Sequence, residues 1–160
     1  MNPKLTLLAL GLLTLLAPIN QIRAEEKKPD AGEKAAAAKI EAGPRKGRIL
    51  AVGEPKAEFF IEADKTISIK FYDKENKVVA PAAQVVTATV DLKGTKTKVE
   101  FEKKGDALVS KTKVAEIDGA PIVVQVKTTA EAKPQNFRFK VQLHTCKGCT
   151  NPEYACTCDE

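Results

Sequence analysis

From residue 48 to residue 143, apolar and polar residues alternate with a period of two, the repeat of strands whose side chains point to opposite faces of a sheet. Phe59, Ile61 and Ala63 alternate with Glu58, Phe60 and Glu62, and Ile67, Ile69 and Phe71 alternate with Ser68, Lys70 and Tyr72. Asp64-Lys65 between the two runs reads as a tight turn. Val86, Ala88, Val90 and Leu92 oppose Thr87, Thr89 and Asp91. After a turn at Lys93-Gly94, Thr97, Val99 and Phe101 oppose Lys96, Lys98, Glu100 and Glu102. Gly105-Asp106 turns again, a weaker strand covers Leu108 to Lys113, and Asp118-Gly-Ala-Pro121 forms a loop before Ile122, Val124 and Val126. The last strand has one apolar row, Phe137, Phe139, Val141 and Leu143, and one polar row, Arg138, Lys140 and Gln142, which His144 continues. With a short strand near Ile49, seven or eight strands and a turn signal about every 8–12 residues predict an all-β antiparallel sandwich over residues 48–143, one folded domain.

The flanks lack this pattern. An apolar run from Leu5 to Ala17 follows Lys4 and stops at Pro18; a bilayer span needs about 20 apolar residues, so the run is short for one. With small and polar residues leading to Ile22-Arg-Ala24, it reads as a signal peptide over residues 1–24, an uncleaved anchor being the alternative. No cysteine lies near the expected cut, which argues against lipoprotein anchoring. Residues 25–47 are rich in Ala, Lys, Glu, Pro and Gly without an aromatic, a composition that buries too little apolar surface to offset ordering entropy. They read as a disordered tether, in which residues 33–42 have the composition of a short, frayed helix.

Charge narrows the function classes. The full chain carries +5; loss of Lys4 and Arg23 with the signal peptide leaves 24 basic against 21 acidic residues, a net +3. Basic and acidic residues are interleaved and no aromatic stacking platform accompanies them, so a nucleic-acid surface is not indicated. Glu100 and Glu102 share a strand face, which ordinarily means a solvated surface rather than an acid/base pair. No phosphate-binding loop or nucleophile–base pattern stands out, and the expectation is a binding protein rather than an enzyme.

The chemistry gathers in residues 144–160. All four cysteines and the single histidine lie there, as His144, Cys146-x-x-Cys149 and Cys156-x-Cys158. Four sulfurs in thirteen residues can enclose a tetrahedral Zn²⁺, or hold Cu(I) with two or three thiolates, and His144 can replace one sulfur. Gly148 is available for a φ > 0 knuckle turn. In an exported protein an even cysteine count also fits disulfides, with three possible connectivities. Direct Cys156–Cys158 bridging is disfavoured, because two extended residues span roughly 6.6–7.2 Å. A Cys149–Cys156 bridge would stabilise by roughly 2–3 kcal/mol in the loop model, enough to order a tail whose anchor is Tyr154. A redox-active pair fits less well, since Thr150-Asn-Pro152 reads as a turn rather than the helix start that activates the first thiol. Haem attachment would need His at position 150.

The stretch Arg45-Lys-Gly-Arg48-Ile-Leu-Ala-Val-Gly-Glu-Pro-Lys-Ala-Glu-Phe-Phe-Ile-Glu-Ala-Asp-Lys-Thr-Ile-Ser-Ile-Lys-Phe-Tyr-Asp-Lys-Glu-Asn-Lys-Val-Val79-Ala-Pro81 resembles the small periplasmic immunoglobulin-like domains found with heavy-metal efflux systems. The likeness covers residues 45–143. It implies an immunoglobulin-like sandwich, a periplasmic or secreted location and an accessory role beside a membrane efflux complex. Related copper-resistance sandwiches bind copper through histidines and methionines of the sandwich; residues 48–143 contain neither, which moves the weight to the tail. The sequence therefore leads to an exported metal-capturing protein, with a metal ion as its ligand and no membrane insertion after signal cleavage. The alternative is a structural or adaptor module whose tail is a disulfide knot without metal.

Overall fold

The computed structural model describes residues 39–158; the expected signal peptide, residues 25–38 of the tether and the final Asp159 and Glu160 lie outside the described residues. Among these described residues nine strands follow one another: β1 Arg48–Leu50, β2 Lys56–Ile61, β3 Ile67–Tyr72, β4 Val78–Val79, β5 Val85–Leu92, β6 Thr95–Lys104, β7 Ala107–Ser110, β8 Pro121–Lys127 and β9 Gln135–Lys140. A single 3-10 turn, Glu153–Ala155, is the one helical element among the described residues. No helix there is long and apolar enough to cross a membrane.

All pairings between strands are antiparallel, in the order β1-β2-β3-β7-β6-β5-β8-β9, with the two-residue β4 beside β3. β6 serves two neighbours in succession. Its residues 95–100 pair with β5, and residues 101–104 pair with β7. The path folds back so that its two ends meet through side chains: the rings of Phe59 on β2 and Phe139 on β9 are 5.1 Å apart, edge to face. The Arg48 guanidinium of β1 lies 4.6 Å above the Phe139 ring.

The core between the facing strands holds Leu50, Phe59, Ile67, Ile69, Phe71, Val90, Val99 and Val124, each fully buried. On β5 and β8 the period-two reading holds over most of each strand: Val86, Ala88 and Val90, and Ile122, Val124 and Val126, are buried while their neighbours are not, but Leu92, last in the β5 row, is only half-buried. It fails at strand ends. Ala63 lies in the exposed turn after β2, and Thr97, expected in the apolar row of β6, is exposed.

The largest departure is on β2 and β3, where both faces are covered. Glu58, Ser68 and Tyr72, all on the face expected to be solvated, are 0%, 2% and 3% exposed. The cover is residues 41–47, the end of the segment expected to be a tether. Ala42 bridges to Arg48, and the 43–47 turn closes through Gly43 N–H to the Gly47 carbonyl at 2.8 Å. The Glu58 carboxylate accepts hydrogen bonds from the backbone N–H groups of Arg45 and Gly47 (both 2.9 Å), from the Tyr72 hydroxyl (2.9 Å) and from Arg45 Nε (3.3 Å). Arg45 also reaches Glu62 and Ser68, each at 2.9 Å. Burial works against the Arg45 charge, but Glu62 and Glu58 outweigh it and its pKa is raised. A buried carboxylate is tolerable on such terms, paired and fully hydrogen-bonded. Side chains at 43 or 47 would run into Glu58, so both glycines are required by this close approach.

Candidate metal centre

After β9 the chain stays attached to the fold. Val141, fully buried, exchanges backbone hydrogen bonds with Gly119 and Ala120, and Leu143 N–H donates to Asp118 Oδ1 at 2.9 Å. The chain then doubles back. Cys146 N–H donates to the Asn151 carbonyl (2.8 Å), Glu153 N–H to His144 (2.9 Å) and Tyr154 N–H to Gln142 (3.3 Å), with Thr145 and Pro152 paired antiparallel. At the tip, Thr150 N–H closes onto the Cys146 carbonyl at 3.2 Å. The left-handed residue of this turn is Thr150, φ 61°, not Gly148. Gly148 is needed for space instead: a Cβ there would lie 2.5 Å from Cys158 Sγ.

The returning limb is nailed to the core by Tyr154, which is 3% exposed. Its ring packs edge-on to Phe59 at 5.6 Å and stacks against Phe139 at 6.5 Å. Its hydroxyl accepts a hydrogen bond from Ile61 N–H at 3.3 Å, and its carbonyl accepts one from Arg48 Nη1 at 3.2 Å. Ala155 beside it is fully buried. The 3-10 turn thus hands the chain to Cys156 and Cys158 directly above the Cys146–Cys149 turn.

The four sulfurs all lie within 4.8 Å of one another. Cys146 Sγ is 3.1 Å from Cys156 Sγ and 3.8 Å from Cys158 Sγ, and Cys149 Sγ is 3.7 Å from Cys156 Sγ. A disulfide needs about 2.05 Å. All four cysteines are free. Four sulfurs at the Zn–S bond length define a tetrahedron with edges of about 3.8 Å, so the cluster is close to the size a four-coordinate ion requires. His144 stands apart from this set, exposed, with Nε2 3.8 Å from Glu153 Oε2.

The electrostatics fit a cation. Backbone N–H groups of Thr157 and then Asn151 bring the Cys149 thiol down to about 6. Thiol contact with Cys146 is the main cause that pushes Cys156 up to about 12. Cys158 is also raised: Cys156 pulls it down, but Cys146 and Cys149 outweigh that. One thiolate in so small a cluster thus opposes a second, and an ion at the centre replaces that repulsion with four attractive bonds.

Searches against protein-family models, curated proteins and solved structures found no match.

Sequence reasoning located all four sulfurs and the Tyr154 anchor. It missed the cleft beside them, lined by Arg48 and Phe139 as well as by Cys146, Cys156 and Cys158. Its only sequence sign is Arg48 opening a strand, and that carries no information about position 139.

Proposed function

We propose that this chain is an exported metal-binding protein that captures one soft or borderline ion through the thiolates of Cys146, Cys149, Cys156 and Cys158. The observation that carries the reading is the set of four unbonded sulfurs within 4.8 Å of one another. Four thiolate positions favour Zn²⁺, since Cu(I) is satisfied by two or three. Capture displaces thiol protons, so affinity falls as pH falls. In this reading the folded-back sheet is an immunoglobulin-like sandwich that keeps the tail ordered. The periplasm is its compartment, a membrane efflux complex its destination, and binding rather than catalysis its task. The resemblance of residues 45–143 to efflux-associated domains is the support for compartment and destination.

Native mass spectrometry of the exported protein, purified without reductant and titrated with Zn²⁺ or Cu(I), tests the capture reading. A one-to-one adduct lost in the Cys146→Ser/Cys149→Ser double variant is expected. A chain four hydrogen atoms lighter than the reduced form, taking no metal, would mean two disulfides and would overturn the capture reading in favour of the disulfide-stapled alternative.

A further inference from the structure

A half-open cleft of about 540 Å³ runs from β1 and β9 to the cysteine cluster, a size that suits a small molecule. Three of the four cysteines, 146, 156 and 158, line one end. Arg48, Lys39 and Lys140 line it as well, with Glu153 as its one carboxylate. Arg48 is half-buried, and its guanidinium is spent on a carbonyl, that of Tyr154, and on the Phe139 ring; no carboxylate pairs with it among the described residues. Lys140 has no ion pair there either. A guanidinium seated over an aromatic ring and lining an open cleft is placed to receive a planar carboxylate.

We propose that the cleft docks a small carboxylate-bearing thiol that carries the ion to the site, an inference that rests on the metal-capture reading above. The carrier's carboxylates meet Arg48 and Lys140 while its sulfur-bound ion faces Cys146, Cys156 and Cys158. Transfer is ligand exchange. For each bond the ion forms to a protein sulfur, one bond to a carrier sulfur breaks, and the proton leaving the protein thiol passes to the departing carrier thiolate; no electrons move. The competing role for the same cations is to offset the negative charge of four thiolates around one ion. That role makes no distinction between carriers.

The test compares uptake of Zn²⁺ by the apo protein from its complex with glutathione, which bears two carboxylates, and from its complex with neutral mercaptoethanol, at matched free metal. The wild type should take the ion faster from glutathione, and excess S-methylglutathione, which keeps the carboxylates without a thiolate, should slow that uptake. In Arg48→Gln the ratio of the two rates should fall about tenfold, the weight of one charge-assisted hydrogen bond. Lys140→Gln, exposed and outside the core, should lower the ratio in the same direction without risk to folding. Uptake with the same ratio in wild type and both variants would overturn the inference and leave metal capture standing. No uptake from either complex, or from the aqueous ion, would overturn both.

Discussion

Gly148→Ala probes the centre without touching a ligand. The backbone of Gly148 is outside the left-handed region, so alanine is conformationally allowed. The added Cβ would sit 2.5 Å from Cys158 Sγ, against an ordinary contact of at least about 3.4 Å, so the sulfur must retreat by about 0.9 Å. In the metal-free protein this costs little, because Cys158 is exposed. In the loaded protein the sulfur is fixed by its bond to the ion, where tolerances are about 0.2 Å. The strain therefore falls on the loaded state alone, and affinity should drop by about 10- to 100-fold, the usual effect of disturbing the surroundings of a ligand. Competition with a chromophoric chelator measures the affinity, and urea unfolding of the apo form should be shifted by less than about 0.5 kcal/mol. Unchanged affinity in Gly148→Ala would mean that Cys158 does not ligate the ion and would refute the four-sulfur geometry.

Two further outcomes follow from the anchor and from the buried tyrosines. Tyr154→Ala removes a buried ring wedged between Phe59 and Phe139; it should cost about 3–5 kcal/mol in urea unfolding of the apo protein and weaken metal binding by loosening the Cys156 limb, while unchanged stability would show that the tail is not part of the core. Burial pushes Tyr72 and Tyr154 up to about 12 from an ordinary 10, with the Glu58 contact adding to the rise at Tyr72. Between those values the unfolded chain has lost protons that the folded chain retains, so stability is intact below pH 10 and falls as pH rises through 12. Ultraviolet titration should resolve two tyrosines that ionise only with unfolding; ionisation at the ordinary pH in the folded state would contradict their burial.

The sheet was legible in the sequence where each strand buries one face and leaves the other in water, as on β5 and β8, because alternation then maps directly onto burial. On β2 and β3 the same alternation misleads. Glu58, Ser68 and Tyr72 are covered by residues 41–47, whose composition gives no sign of order because what orders them is hydrogen bonding to Glu58 rather than apolar burial. A contact between positions 45 and 58 depends on folding, and local pattern cannot report it. The cysteine site was legible for the opposite reason: its spacing is short, so sequence proximity nearly fixes spatial proximity. What spacing could not convey is the division of labour inside the turn, where Thr150 takes the left-handed conformation and Gly148 yields room for a sulfur.

The hand-over along β6 bears on how the molecule opens. Residues 95–100 are bonded to β5 and residues 101–104 to β7, so no break between the β1–β3–β7 and β5–β8–β9 groups leaves both with intact edges. Fraying either group exposes amides of the same strand. The two groups should therefore exchange their slowest amide hydrogens at a common rate, in one cooperative event rather than two. Tyr154 touches both groups, through Phe59 and Phe139, so that same event would release the cysteine limb. An ion held by the four sulfurs would then slow exchange in strands far from it, making backbone amides of β3 and β5 remote reporters of occupancy.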